Sequence, residues 1–303
     1  MTDLKEKLSA YARVDENVSM QKMTTLRIGG HARYTVYPET LTAFDGVMRI
    51  LEREGISFKM IGKGSDLLCS DDDFDGAVIR FDRSLNRNYY NGCEVISEAG
   101  TSLIGLAVGA GQRGLSGLEF ASGIPGTLGG AVFMNAGAYK SDISKVVEEV
   151  LVYKDHNFVW MKKEDCDFSY RHSIFQKHPD WIIVAARMHF TEEDPKVIEE
   201  LMEDRRRRRL ASQPLTDPSC GSVFKNPEEG NAWQYIDGIG YRGKQIGGAL
   251  VSPKHCNFIV NAGNATAEDY MTLVREIQEK VLAKYGILLE TEMEMFNWKT
   301  EEE

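Results

Sequence analysis

Between residues 122 and 138 the chain puts glycine and alanine where a regular element would need side chains. Ser122-Gly-Ile-Pro-Gly-Thr-Leu-Gly-Gly130 runs through AVFM into Asn135-Ala-Gly-Ala138. Glycine and proline at this density punctuate both helical and strand patterns. Such a stretch offers bare backbone N–H groups, which can approach a pyrophosphate with no side chain in the way. Gly62-Lys-Gly-Ser-Asp66 has the same character. Either loop alone reads as an ordinary turn. The two together, followed by a third run of small residues, read as a cofactor-binding surface.

The chain around these loops mixes helices and strands throughout, which predicts an α+β fold. Leu41, Phe44, Val47, Met48 and Leu51 share one face of a predicted helix over 41–54 that stops at Gly55. A second helix is expected over 102–112, a third over 195–210 with Asp194 as cap and Pro195 at its first position, and a fourth over 267–285. Thr266 and Asp269 form a capping-box-like pair at the start of the fourth, and Gly286 ends it. Strands are expected over 77–81, 93–98, 146–153 and 181–190. Leu288–Phe296 alternates with period two and predicts a last strand, with Glu290, Glu292 and Glu294 on one face and Thr291, Met293 and Met295 on the other. At 303 residues the chain is long for one core. The Pro-led helix start suggests a domain boundary at 194–195.

Several function classes are disfavoured. Gly109-Ala-Gly-Gln-Arg-Gly114 matches G-x-G-x-x-G but lies at the end of a helical pattern, not between a strand and a helix, so it reads as a helix terminus. Gly62-Lys63 is followed by Gly64, so there is no P-loop. The net charge of −10 disfavours nonspecific binding to nucleic acid or an anionic membrane. Cys69, Cys93, Cys166, Cys220 and Cys256 are scattered and odd in number, and the six histidines lack metal-ligand spacing, so neither disulfides nor a metal site is expected. The charged N-terminus and the lack of a long apolar run predict no signal peptide, no membrane span and a reducing cytoplasm. Arg205 to Arg209 reads as a solvated helix end, with Glu203–Arg207 and Asp204–Arg208 as i,i+4 pairs, or alternatively as a basic rim attracting phosphorylated ligands.

Three further blocks are bland one at a time. Tyr170-Arg171-His172 is unremarkable, and Glu292 alone would be a wet strand edge. Ser222, in Gly221-Ser-Val-Phe-Lys-Asn-Pro227, lacks the G-x-S-x-G of a hydrolase.

Taken in order, however, the blocks resemble the UDP-N-acetylenolpyruvoylglucosamine reductase family, in its shorter branch. The resemblance runs from Thr24-Thr-Leu-Arg-Ile-Gly-Gly30 through both glycine-rich loops, Asn135-Ala-Gly-Ala-Tyr139 and Tyr170-Arg171 to Gly221–Pro227 and Leu289-Glu-Thr-Glu292. The first blocks alone would indicate only the wider vanillyl-alcohol-oxidase type of flavoprotein.

The resemblance implies FAD held by two subdomains, 1–83 and 84–194, and a substrate-binding domain, 195–303. It implies NADPH as reductant, and as substrate a UDP-sugar enolpyruvate of peptidoglycan synthesis. A monomer is the expectation. Gly62, Lys63, Gly64, Ser65, Asp66 and Leu67 match one FAD-contacting loop. Ser122, Gly123, Ile124, Pro125, Gly126, Gly129 and Gly130 match another, with Asn135 and Ala136 after it. Ser222 matches the family's proton donor, and Arg171 and Glu292 the pair that stabilises an enolate. Tyr170, Lys225 and Asn226 are the substrate-binding candidates, Lys225 also as a group that acidifies Ser222. Asp66 stands where the family usually has Asn, and an acid beside a pyrophosphate is repelled unless it faces another partner. Two other readings are an oxidase of the same fold and a binding module without catalysis. No histidine lies in either glycine-rich loop to tether a flavin, as many such oxidases do. The presence of Arg171, Ser222 and Glu292 in one chain argues against the binding module.

Overall fold

The computed structural model describes residues 3–298; the first two and last five residues of the expected ranges 1–83 and 195–303 lie outside it. The chain forms two compact units. One holds the residues up to Glu16, Tyr34–Lys63 and Gly76–Arg208; the other holds Asn17–Arg33, Gly64–Asp75 and the residues from Arg209 on. The chain changes unit five times, once within the first glycine-rich loop, after Lys63.

The first unit contains the helix Leu41–Arg53. Thr40 caps it by accepting the Ala43 N–H at 3.1 Å, and Phe44, Val47, Ile50 and Leu51 are buried along one stripe, as the period requires. Phe44 meets the rings of Phe81 and Tyr153 edge-on, at 5.1 and 5.0 Å between centroids. Phe58–Met60 pairs in parallel with Ala77–Ile79 in a sheet of four strands. A second sheet is antiparallel throughout, in the order Asn157–Lys162, Val147–Lys154, Ile182–His189, Glu94–Glu98, Asn88–Asn91. The helix Leu103–Gly111 starts on a Ser102 cap, and Gly109 and Gly111 fall in its last turn, so the G-x-G-x-x-G match is a helix end.

The helix Pro195–Ser212 begins as expected: the Asp194 carboxylate accepts the Lys196 N–H at 2.9 Å. The break between units falls later, at Arg208 and Arg209, inside this helix. The reason is packing. A Cβ added at Gly111 would stand 2.9 Å from Ile198 and 3.0 Å from Met202, so the bare glycine lets this helix lie close on Leu103–Gly111. Of the two expected arginine pairs, Asp204–Arg208 forms and Glu203–Arg207 does not. Glu203 takes Arg206 at i,i+3, and Asp204 takes both Arg207 and Arg208.

In the second unit the helix Ala267–Tyr285 buries Tyr270, Leu273, Val274, Ile277 and Val281. These share a core with residues of the antiparallel strands Ala249–Val251 and Ile259–Asn261. Its start is over-determined. Thr266 and Asp269 cap each other, Asp269 also accepts the Gly248 N–H at 3.1 Å, and the Asp71 carboxylate receives the Ala267 N–H. Gly286, at φ 71°, ends the helix in the left-handed conformation that glycine adopts without strain.

The predicted closing strand is shorter than its alternation suggests. Only Glu294–Phe296 is a strand, parallel to Leu67–Cys69; upstream, Thr291 forms a single antiparallel bridge with Phe224. The segment changes partner between Thr291 and Glu294, and the alternation breaks there. Met293 is buried while Met295 is 40 % exposed, so the two do not share the buried face.

The cap gives a pH-dependent prediction. N–H donors from Thr266 and then Gly248 hold the Asp269 carboxyl below the usual carboxylate range. Its contribution is therefore complete above the ordinary aspartate value of about 4 and is lost as pH falls through the lower folded value. Asp269→Ala should cost about 1 kcal/mol in denaturant unfolding at neutral pH. The gap to the unsubstituted chain should narrow on acidification below about pH 4; a gap independent of pH would contradict the assignment.

Candidate active site

The two glycine-rich loops meet in the first unit. A side chain at Gly62 would run into the Thr127 hydroxyl, and Ser102 bridges to Thr127. The Lys63 ammonium donates to Ser102 Oγ at 3.0 Å, which places its charge beside the second loop. That loop spends several of its N–H groups internally. Ile124 donates to Ala121, Leu128 to Thr101, Gly129 to Ala99 and Gly130 to Thr127 Oγ1. Ser122 Oγ donates to the Glu119 carbonyl, and the Gly126 carbonyl receives the Leu103 N–H. Gly123 closes a short 3-10 turn. Loops of this kind present backbone and one lysine rather than a wall of side chains, a donor set suited to a pyrophosphate.

Arg80 was not singled out as a site residue, although an arginine inside the apolar run AVIRF was a visible signal. It is buried in the first unit, pairs with Asp82 through two hydrogen bonds and donates to the Gly62 carbonyl at 3.1 Å. It therefore fixes the start of the first loop.

Tyr170 and Arg171 sit at the tip of a turn closed by reciprocal hydrogen bonds between the backbones of Ser169 and His172, each 3.1 Å. Arg171 has φ 54°, a left-handed conformation uncommon for a non-glycine residue. Its guanidinium donates to the Gly137 carbonyl at 2.6 Å and lies 5.0 Å from the Tyr170 ring centroid. Gln176 donates to the Arg171 carbonyl from below. Asn135, a cofactor-binding candidate, has its side chain hydrogen-bonded within the first unit. It is buried, donates to the Ser169 carbonyl at 2.7 Å and accepts from the Ser144 N–H at 3.2 Å. Ala136 likewise uses its N–H and its carbonyl within the loop, on Ala131 and Ile143. In side-chain terms Asn135 holds up the turn that carries Arg171.

The rest of the first loop belongs to the second unit. A side chain at Gly64 would strike the Met23 carbonyl, the Gly64 carbonyl receives the Thr25 N–H, and the Asp66 carbonyl receives the Glu294 N–H. Leu67 opens the strand paired with Glu294–Phe296, and Ser65 lies between these fixed points. Cys220 and Tyr270 lie buried in the second unit. Burial pushes the Cys220 thiol up to about 12, with a smaller push from the Asp66 charge, and burial and then Cys220 raise the Tyr270 hydroxyl well above its ordinary value. The Cys220 Sγ and the Tyr270 Oη lie 3.1 Å apart.

Ser222 and Glu292 come together in the same unit. Gly221 enters with φ 85°, Ser222 follows, and the next carbonyl, that of Val223, receives the Glu292 N–H at 2.8 Å. Lys225 donates its N–H to the Glu290 carbonyl, and its ammonium lies 3.6 Å from the Glu290 carboxylate. Asn226 uses its side-chain oxygen on the Ala232 N–H, at the start of the helix Ala232–Gly238. Among the described residues no cluster of His, Cys, Asp and Glu could hold a metal ion, and no helix is long and apolar enough to cross a membrane.

Comparison with known proteins agrees with this layout. A family model described as an FAD binding domain matches residues 32–155, which include both Gly62-Lys63 and Ser122–Gly130. The fold and the site define an FAD-dependent oxidoreductase. A second family model, the C-terminal domain of UDP-N-acetylenolpyruvoylglucosamine reductase, matches residues 213–296, which include Ser222 and Glu292. The reductase of that name from Bacillus licheniformis is 40% identical over 95% of this chain and 95% of its own. The one from Anoxybacillus flavithermus is 39% identical over 99% and 100%. The crystal structure of UDP-N-acetylenolpyruvylglucosamine reductase from Thermus caldophilus superposes with a TM-score of 0.82 at 33% identity, covering 94% of this chain and all of that one. The chain belongs to the UDP-N-acetylenolpyruvoylglucosamine reductase family.

The Asn135 contacts yield a test. Asn135→Ala takes the amide donor from the Ser169 carbonyl, which keeps the His172 N–H, and removes the acceptor of the Ser144 N–H, at a cost of about 1 kcal/mol. Hydrogen exchange should accelerate at residues 169–172 before it does in the five-stranded sheet. Unchanged protection of that turn would remove Asn135 as its support.

Proposed function

We propose that this chain reduces UDP-N-acetylglucosamine enolpyruvate to UDP-N-acetylmuramate with NADPH, in the synthesis of peptidoglycan precursors, as a cytoplasmic monomer. The observation that carries the reading is local. Ser222 immediately precedes the residue whose carbonyl is hydrogen-bonded to Glu292, in the segment matched to the reductase C-terminal domain. Among the described residues the four-stranded sheet falls in 1–83 and the five-stranded sheet in 84–194, which supports keeping these ranges as two FAD-binding subdomains, with 195–303 binding substrate.

FAD, when bound, passes hydride from NADPH to the enolpyruvyl group, and the backbone of the two glycine-rich loops with Lys63 would hold its pyrophosphate. The protein's own residues then handle charge and proton. Hydride addition at C3 of the enolpyruvyl group moves the C2–C3 electron pair toward the carboxylate, which becomes an enolate. Arg171, held in place by Gly137 and Tyr170, and Glu292 stabilise that charge; a preorganised group of this kind is worth about 3 kcal/mol. Ser222 gives its proton to C2, completing the lactyl ether, and is re-protonated from solvent or through Lys225. Tyr170, 54 % exposed, with Lys225 and Asn226, contacts the UDP-sugar.

Two half-reactions test this. In Ser222→Ala, flavin reduction by NADPH should proceed as in the unsubstituted chain, while reoxidation by the enolpyruvyl sugar slows by orders of magnitude. Equal slowing of both would remove Ser222 as proton donor. The purified protein should also be yellow, and a colourless preparation that takes up no added FAD would overturn the scheme.

A further inference from the structure

Resting on the assignment of Ser222 as proton donor, we propose that Asn257 is a positioning residue that fixes the Ser222 hydroxyl for protonation of C2. Asn257 is 4 % exposed and lies in the second unit, outside every block that the sequence singled out. Its side-chain oxygen accepts the Phe224 N–H at 3.0 Å, and its side-chain nitrogen donates to the Phe224 carbonyl at 2.8 Å. Its own backbone carbonyl accepts the Val223 N–H at 2.9 Å. The fourth polar group of this dipeptide, the Val223 carbonyl, receives the Glu292 N–H at 2.8 Å. Three of the four main-chain groups after Ser222 therefore end on one asparagine, and the last ends on Glu292.

The carboxamide behaves as a one-residue strand laid against Phe224, because it carries one donor and one acceptor at the spacing of a peptide group. The need for such a clamp follows from the residue before Ser222. Gly221 is left-handed and a side chain there would meet open space, so no packing around its Cβ position helps to fix the serine that follows. Asn257 itself is held. It sits on a turn in which Ser252, 1 % exposed, accepts the N–H groups of Lys254 and His255, and Phe258 donates back to His255. Displacing a reacting group by about 1 Å can cost about 10²-fold in rate, so a clamp one residue away from the proton donor acts on the chemical step.

Asn257→Asp keeps the shape and removes only the donor. A buried carboxyl titrates above its ordinary range. Its acid form can still donate to the Phe224 carbonyl, and its ionised form cannot. The experiment is stopped-flow absorbance on the FAD-loaded full chain, with NADPH and then the enolpyruvyl sugar, across pH. Reduction by NADPH should match the unsubstituted chain. Reoxidation by the sugar should slow by about 10²-fold at neutral pH and recover on acidification. Asn257→Ser, too short to reach both groups of Phe224, should show the same slowing without the recovery, and it serves if the aspartate variant does not load FAD. In the Ser222→Ala background either change should add little, as expected for residues acting as a unit.

Wild-type reoxidation in FAD-loaded Asn257 variants, equal slowing of both half-reactions, or effects that multiply with Ser222→Ala would each overturn the inference while leaving the Ser222 assignment in place. Failure of the unsubstituted chain to be reoxidised by the sugar overturns the assignment of Ser222 and this inference with it.

Discussion

A peptide group withdrawn from water and left without a partner costs about 1–3 kcal/mol, and the functional segments of this chain are the ones that regular secondary structure does not serve. Side-chain amides serve them instead. Asn135 supplies the Ser169 carbonyl and the Ser144 N–H. Asn257 supplies both groups of Phe224. Asn261 donates to the carbonyls of Leu26 and Arg27 and accepts from Gly263 and Ala265. Asparagine suits the task because its short amide reproduces the donor and acceptor of the backbone it replaces. Where charge is tolerated, Arg80 does the same for Gly62 while paired with Asp82.

This arrangement explains how loops with poor intrinsic propensity can hold a defined site. Glycine loses more entropy on ordering than other residues, and Arg171 sits in a conformation that non-glycine residues adopt reluctantly. Both are sustained by hydrogen bonds from residues distant in sequence. A group that must stabilise developing charge gains from being fixed in advance, since its dipole then needs no reorganisation at the moment of reaction. The buried amides, rather than the half-buried site residues, supply that fixation.

The same feature sets what the sequence could reveal. Helices were legible because their signals are local: the stripe of Phe44, Val47 and Leu51, the Pro195 start, and the pair Thr266 and Asp269 before Gly286. The short helix Leu128–Phe133 was not foreseen, because two of its six residues are glycine and its cap, Thr127, sits inside the glycine-rich run. The closing strand was read too long, since alternation reports a fit to a pleated surface and not the presence of a partner; Leu67–Cys69 offers only a short one. Ser222, Arg171 and Glu292 were legible as motif positions. The support Asn257 was not, because a clamp lies in no motif of its own; Arg80 stood out as an arginine in an apolar run, but its partners Asp82 and Gly62 are set only by the fold. Asn135 was visible as a motif residue, yet a motif does not tell whether its side chain faces a ligand or the protein.

Each reacting group is prepared inside its own compact unit. Arg171 takes its conformation from Ser169, His172, Gly137 and Gln176, all in the first unit, and the Asn135 amide secures the turn. Ser222 and Glu292 take theirs from Val223, Phe224 and Asn257, all in the second. Each of these two asparagine supports lies in the same unit as the backbone it holds, so Asn135 is read out at the 169–172 turn and Asn257 at the Val223-Phe224 dipeptide.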